Sequence, residues 1–237
     1  MSREWVTVEF AGPETRIETS LCSHCPRGEA GCCATPPPYS LAEIGRVAAV
    51  PGGGAWLAQE VAAGRLLLQP ETLQPAQVAG ACVYWQRGRG CTLEPAQRPA
   101  QCNFFICGEA LQLAGLAPGE GYGPAPTAAA EPAGGGAGTG VPAGAVDPAG
   151  GGTGTGVPAG GLDPVRRAHT DLLRLYDRWH GALLQALQRM GLAPLDAARL
   201  PELTAALAHW WRAQAGQWQR VAPGLPGEGR RRFERQP

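Results

Sequence analysis

Two periodicities mark the first half of the chain. Apolar and polar residues alternate over Trp5–Phe10, which predicts a short strand with one face on a core. At residues 40–43 a serine is followed three positions later by a glutamate, which is the signature of a helix capping box. This signature predicts a helix through about Val50, which Pro51 and the glycines after it end, and a second short helix over residues 55–63. The pattern therefore favours short strands mixed with short helices.

Apolar side chains recur every three or four residues near the C-terminus, which predicts two amphipathic helices. The first begins at Asp163 and Pro164, a capping residue followed by proline, and ends before Gly191. Its apolar stripe consists of Leu172, Tyr176, Trp179, Leu183, Leu187 and Met190. The second covers about residues 201–221, with an apolar face made of Leu203, Leu207, Trp210, Trp218 and Val221. We expect both faces to pack on each other and on the N-terminal part, and the alternative is an independent helical hairpin that binds a protein partner.

Between these parts both periodicities disappear. Residues 131–146 and 147–162 are two copies of a Gly- and Pro-rich unit with almost no large apolar groups. Such a segment cannot offset its ordering entropy by burial, so a disordered linker is predicted. The arginine-rich C-terminus is expected to be a solvated, disordered tail rather than a contact for nucleic acid or an anionic membrane. The predicted units are a cysteine-cluster domain over 1–115, a linker over 116–163, a helical segment over 164–222 and a basic tail over 223–237.

Composition narrows the class of protein. The formal net charge of the 237 residues is 0, so no general nucleic-acid surface is expected. The N-terminus carries two acids within ten residues and has no apolar h-region, so no secretory signal is predicted. The sequence contains no run of about 18 apolar residues, so no membrane span is predicted. We therefore expect a cytoplasmic protein, a compartment in which thiols stay reduced and clustered cysteines bind metal more often than they form disulfides.

The eight cysteines are the candidate site residues, and all of them lie between residues 22 and 107. They form two sequence groups, which are Cys22, Cys25, Cys32 and Cys33, followed by Cys82, Cys91, Cys102 and Cys107. The C-x2-C spacing of the first two is the one at which a tight loop aims two thiolates at one ion. Cys32 and Cys33 are adjacent, so their side chains are expected to diverge, and one of them is left to pack or to serve a second ion.

The second group lacks a C-x2-C pair, but local structure can still bring its members together. Residues 82–85 and 91–93 have strand character, and the Arg- and Gly-containing residues 87–90 between them favour a turn. The predicted hairpin would place Cys82 and Cys91 side by side. Arg98 is expected to hydrogen-bond thiolates or backbone carbonyls beside Pro99, and His24 is expected to be an exposed loop residue.

The order of these elements resembles the YkgJ-type cysteine-cluster family, which is described as a zinc- or iron-chelating domain. The matching elements are the C-x2-C pair, the adjacent cysteines, a helical spacer, Gly90-Cys91-x-Leu93 and Arg98-Pro99-x2-Cys102. The resemblance covers about residues 18–110, and the Gly-rich repeat has no counterpart in it. It implies a domain in which the eight cysteines chelate zinc or iron, and it carries over no reaction or substrate.

Three classes of function follow. The first is a metal-binding protein in which zinc or iron is structural, or is sequestered and delivered, because a small domain that buries little needs a metal staple. The second is an iron–sulfur redox protein or enzyme component, since the unequal spacings suit a cluster equally well. The third is an exported module held by disulfides, against which the missing signal argues.

No catalytic constellation is identifiable in the sequence. It contains no phosphate loop, nucleophile elbow or dinucleotide fingerprint. Whether the protein is an enzyme therefore stays open, and metal binding without catalysis is favoured. The expected fold class is α+β, a small metal-stabilised cysteine-rich domain with short strands and helices, plus a C-terminal helical hairpin after the disordered insertion.

Overall fold

The computed structural model describes residues 4–25, 30–105, 107–113, 163–221 and 229–234. The predicted Gly- and Pro-rich linker lies outside these residues apart from its last position. The strands are β1 (Trp5–Phe10), β2 (Arg16–Thr19), β3 (Leu66–Leu68), β4 (Leu73–Pro75), β5 (Gln77–Val78), β6 (Ala81–Cys82), β7 (Trp85–Gln86), β8 (Gly90–Cys91) and β9 (Gly229–Glu234). The helices are α1 (Leu41–Ala49), α2 (Gly53–Ala62), α3 (Ala100–Phe104), α4 (Gly108–Leu113), α5 (Asp163–Arg189), α6 (Leu200–Ala215) and α7 (Trp218–Val221). The expected α+β class, with short antiparallel strands and a C-terminal helical region, is confirmed.

The predicted first strand is confirmed as β1, the centre of a three-stranded antiparallel sheet in the order β2-β1-β9. Val8 pairs with Ile17 of β2 on one side and with Arg231 of β9 on the other. Val6 and Val8 are buried, as the alternation of apolar and polar residues requires. The strand therefore lines one side of the core.

The prediction of a disordered basic tail is wrong for Gly229–Glu234, because these residues form β9 against the full length of β1. Strand pairing uses backbone groups, so it leaves the charged side chain of Arg230 exposed to water. The Arg232 guanidinium lies 5.0 Å from the centre of the Trp5 ring, a distance typical of a cation–π contact. A charge count predicts neither of these interactions.

The predicted capping box is confirmed at the start of α1. The Ser40 hydroxyl accepts the Glu43 backbone N–H at 3.4 Å, and the Glu43 carboxylate accepts the Ser40 backbone N–H at 2.7 Å. The helix ends at Ala49, one residue before the predicted end, and α2 begins at Gly53 rather than at residue 55. Both helices thus follow from local sequence chemistry, to within two residues at each end.

The C-terminal helices pack on α1. Gly45 of α1 lies against the backbone of α6, where an added Cβ would be 2.7 Å from the Leu207 carbonyl oxygen. The Tyr176 hydroxyl of α5 donates to the Pro13 carbonyl at 3.1 Å. Trp179 and Trp211 meet edge to face at 5.3 Å between ring centres, so aromatic contacts join α5 to α6. These helices and the N-terminal strands share one hydrophobic core.

Three details of the C-terminal prediction differ from the structure. The second helix is interrupted at residues 216–217 and continues as α7. Met190, placed on the apolar stripe, lies just after α5 and is 59% exposed, because the helix has already ended. The side chain of Val221 lies outside the described part of the structure. Among the helices described, none is long and apolar enough to cross a membrane.

Candidate metal centre

The eight cysteines are free thiols carried by short elements and loops. Cys22 lies in a 3₁₀ helix (Ser20–His24) and Cys25 follows it, while Cys32 and Cys33 lie in a second 3₁₀ helix (Gly31–Ala34). The second sequence group is spread over β6, β8, α3 and the residue before α4, at Cys82, Cys91, Cys102 and Cys107. Cys22 and Cys32 are exposed and the others are partly buried.

The predicted hairpin with a turn at residues 87–90 is confirmed as β7 and β8, but its extension to Cys82 is wrong, because Cys82 belongs to a separate preceding hairpin. In the first hairpin, β5 pairs with β6 and Cys82 lies opposite Gln77. In the second hairpin, β7 pairs with β8 and Cys91 lies opposite Trp85. The extra hairpin turns at Ala79 and Gly80, which both have positive φ angles, of 50° and 78°. Alanine rarely adopts this conformation, so the sequence does not signal the turn.

Both hairpins contact the first cysteine group. The first hairpin packs against the second 3₁₀ helix, and the Gln77 side-chain amide donates to the Ala34 carbonyl. The second hairpin packs against the first 3₁₀ helix. There an added Cβ on Gly90 would lie 3.0 Å from the carbonyl oxygen of Cys22 and 3.4 Å from its Cβ. The glycine of the Gly90-Cys91 element is therefore required for a close approach between the two cysteine groups.

Helix α1 holds in place the loop that precedes Cys102 and Cys107. The Glu43 carboxylate accepts the Ala100 backbone N–H at 2.5 Å. Arg46 is 2% exposed and donates to the Ala96 carbonyl at 3.2 Å and to the Arg98 carbonyl. The buried charges thus satisfy backbone groups that would otherwise lack partners. The sequence predicted the capping role of Glu43 but neither its bond to Ala100 nor the buried position of Arg46, because a helical glutamate or arginine in a single sequence looks the same on a surface as in a core.

Arg98 occupies the place expected of it, and His24 does so in part. Arg98 Nε donates to the Leu93 carbonyl at 2.9 Å, which is the predicted backbone role, and its charge also acts on Cys22. His24 is exposed, and its Nδ1 lies 2.7 Å from the Ser23 hydroxyl. The histidine is exposed as expected, but it is the last residue of the first 3₁₀ helix rather than part of a loop.

Tyr84 anchors the second hairpin on α2. Its hydroxyl donates to the buried Glu60 carboxylate at 2.7 Å, and the same carboxylate accepts two bonds from the Arg65 guanidinium at 2.6 Å each. Burial, followed by the bond to Glu60, raises the pKa of Tyr84 well above its usual range, so the phenol stays protonated and continues to donate. This network holds the segment between Cys82 and Cys91 in place.

The thiols of the two sequence groups interact electrostatically around Cys22. Cys22 is exposed in part, but the surrounding chain removes water from its thiol, and this desolvation raises the pKa of Cys22 to about 12. Repulsion from Cys32, Cys107 and Cys25 raises the pKa further, while the Arg98 charge lowers it. Burial also raises the pKa of Cys107, with a smaller contribution from Cys32. Cys107 belongs to the second sequence group but interacts with members of the first.

A second neighbourhood surrounds Cys33. Its pKa is raised first by a hydrogen bond with Cys32, then by burial, and then by repulsion from Cys32, Cys102 and Cys91. Burial, followed by repulsion from Cys91, Cys32 and Cys82, raises the pKa of Cys102. Cys32 and Cys33 are adjacent on the second 3₁₀ helix, and the expectation that one of them ligates while the other packs or serves a second ion stays a prediction.

These neighbours do not form a coordination shell. Across the described residues, no group of three or more His, Cys, Asp or Glu side chains is arranged to hold a metal ion. A raised pKa favours the protonated thiol at neutral pH, and this applies to Cys22, Cys33, Cys82, Cys102 and Cys107. A bound cation would reverse this balance, because it deprotonates a coordinating thiol and removes the repulsion between neighbouring thiolates. The donor set thus has the chemistry of a zinc or iron site and requires closure around the ion.

Comparisons with protein-family models, with curated proteins and with solved structures find no match to this chain. The resemblance to the YkgJ-type family therefore stays a prediction, and the function rests on the cysteines themselves.

Proposed function

We propose that this chain is a metal-binding protein that chelates zinc or iron through clustered cysteine thiolates, with the metal either structural or sequestered and delivered. The observation that carries the proposal is the packing of both cysteine-bearing hairpins against the two 3₁₀ helices of the first cysteine group, with Gly90 in close approach to Cys22. Neighbouring thiolates repel one another, so each thiol is harder to deprotonate beside the others. A bound cation would remove this repulsion.

The short elements that carry the cysteines also need a cross-link to be stable. Strands β5 to β8 are two residues long, and a two-stranded hairpin of this kind is marginal in water. Half-buried thiols contribute less apolar burial than core aliphatic side chains. Ions bound by four thiolates would cross-link these loops, so that binding free energy becomes folding free energy. This supports a structural role for the metal and leaves delivery as its alternative.

The test is anaerobic purification of the full chain, followed by measurement of zinc, iron, acid-labile sulfide, reduced thiols and visible absorption. Protein with stoichiometric zinc or iron and without acid-labile sulfide is the expected result. Brown protein with stoichiometric sulfide would instead support the iron–sulfur redox alternative. Metal-free protein without titratable thiols would contradict both and favour disulfides.

Reconstitution provides a matched control. Reduced metal-free protein is titrated with Zn²⁺ and, separately, with Mg²⁺, because thiolates select zinc whereas magnesium prefers oxygen ligands. Uptake of zinc but not of magnesium is expected, and it should disappear after the thiols are alkylated. Equal uptake of both ions, or uptake by the alkylated chain, would show that the thiols are not the ligands.

A further inference from the structure

Two residues, Val83 and Tyr84, join the hairpin of Cys82 to the hairpin of Cys91. The Tyr84 carbonyl accepts two hydrogen bonds from Thr92, the residue that follows Cys91. The Thr92 backbone N–H donates at 2.8 Å and the Thr92 hydroxyl donates at 2.9 Å. These bonds close the base of the second hairpin, so the position of Cys91 depends on the position of Tyr84.

The first hairpin is held at the same junction. The Val83 backbone N–H donates to the Ala76 carbonyl at 2.9 Å, and this bond closes the base of the hairpin beside Cys82. The Ala76 backbone N–H in turn donates to the Arg65 carbonyl at 2.9 Å, which continues the ladder between β3 and β4. The position of Cys82 therefore depends on Arg65, which lies in the segment between α2 and β3.

Tyr84 and Arg65 meet at the carboxylate of Glu60, which lies in the last turn of α2 and is 5% exposed. The Tyr84 hydroxyl donates to this carboxylate at 2.7 Å, and the Arg65 guanidinium donates two bonds to it at 2.6 Å each. The Glu60 backbone carbonyl also accepts the Arg65 backbone N–H at 2.9 Å. A single buried carboxylate thus connects the residue that holds the first hairpin to the residue that holds the second.

On the basis of the proposed function, we infer that Glu60 is a positioning residue for the metal centre, which fixes the two cysteine hairpins relative to each other before an ion binds. Its carboxylate oxygens are engaged by Tyr84 and Arg65, so it acts through the hairpins rather than as a ligand. The two-residue strands are marginal on their own, and an ion that had to order them would lose that free energy from its binding. The network orders the strands in advance, and this raises the affinity for metal.

Two tyrosine-to-phenylalanine variants of the full chain separate positioning from general stability. Tyr84 and Tyr176 are both buried, and each hydroxyl donates one bond, to Glu60 at 2.7 Å and to the Pro13 carbonyl at 3.1 Å. Tyr84→Phe should weaken the binding of Zn²⁺ to the reduced chain by roughly tenfold, the equivalent of one hydrogen bond to a charged group. Tyr176→Phe removes the same atom from the helical core and should leave the zinc affinity unchanged. Equal zinc affinities of the two variants, measured by competition with a chromogenic chelator, would overturn the inference.

Variants of Glu60 itself should follow the number of bonds that they retain. Glu60→Gln keeps an acceptor for Tyr84 and loses the ion pair with Arg65, whereas Glu60→Ala loses both. Zinc affinity should therefore be highest in the wild type, lower in Glu60→Gln and lowest in Glu60→Ala. Wild-type affinity in Glu60→Ala would contradict the positioning role.

A measurement on the wild-type chain does not depend on the folding of variants. Amide hydrogen exchange of Val83 and Thr92 should be slow in the reduced metal-free protein, because the network orders both hairpins without an ion. Fast exchange of both amides until Zn²⁺ is added would overturn the inference and leave metal binding intact. A wild-type chain that takes up neither zinc nor iron would overturn the proposed function itself, whereas the exchange rates of the metal-free protein do not depend on that function.

Discussion

The contact between Gly90 and Cys22 makes a sharp test of the site, because the same hairpin contains a matched control. Gly90 has a φ of 82° and Gly88 has a φ of 76°, so an alanine at either position enters the left-handed region. Only Gly90 faces another part of the chain, with the Cys22 carbonyl oxygen 3.0 Å from the added methyl. No atom lies within 4 Å of a methyl on Gly88.

The difference between the two variants measures the contact alone. A left-handed alanine costs about 1–2 kcal/mol, and the reduced entropy of the unfolded chain offsets about 0.4–1 kcal/mol of this. Gly88→Ala should therefore destabilise by about 1 kcal/mol. Gly90→Ala has the same backbone cost and also forces the backbone of Cys22 to move. Overpacking of this kind adds about 1–3 kcal/mol.

The assay compares thermal unfolding of the two variants in the reduced metal-free and zinc-loaded forms. Each additional 1 kcal/mol should lower Tm by about 2–4 °C in a chain of this size. Gly90→Ala should also weaken zinc binding by roughly tenfold for each 1.4 kcal/mol of strain that the bound site must absorb. Equal Tm values and equal zinc affinities for the two variants would refute the close approach of the second hairpin to Cys22.

Three further predictions concern the framework and the thiols. Gly45→Ala places a methyl 2.7 Å from a backbone oxygen of α6 and should lower the free energy of unfolding in urea by about 1–3 kcal/mol. The control Gly181→Ala lies in the open middle of α5 and should raise that free energy by up to about 1 kcal/mol. Equal effects of the two variants would contradict the contact between α1 and α6. The pKa of Cys22 is raised from 9.0 to about 12, so the unfolded chain releases this proton at a lower pH than the folded chain does. The metal-free protein should therefore lose stability as pH rises from 9 towards 12, and urea titrations at several pH values would detect the loss. Glu43→Ala leaves the Ala100 N–H unsatisfied and should cost about 1–3 kcal/mol in the same assay, with Glu43→Gln losing less because its amide oxygen still accepts a bond.

Elements that depend on local chemistry could be predicted from the sequence. The alternation over Trp5–Phe10, the capping box at Ser40 and the start of α5 at Asp163 each involve residues within one turn or one strand. Their boundaries follow because side-chain period and capping act over three or four positions. The spacing of the eight cysteines is likewise read directly from the sequence.

Features that depend on distant pairing could not be predicted. Strand β9 forms only because β1, at the other end of the chain, has an open edge. The first of the two cysteine hairpins turns at a left-handed alanine, Ala79, which sequence rules assign to other conformations. The contact of Gly90 with Cys22 likewise depends on the packing of separate elements, which sequence spacing does not predict.

Helix α1 links the cysteine loops to the C-terminal helices. One set of its side chains, Glu43 and Arg46, binds the backbone of the loop before α3. Gly45 allows the close approach of α6, and the Leu41 backbone N–H donates to His180 Nδ1 of α5 at 3.2 Å. Without α5 and α6, the apolar side of α1 would face water and the loop that leads to Cys102 would lose its support. The cysteine cluster therefore depends on helices that carry no cysteine, because the geometry of its loops is set through α1.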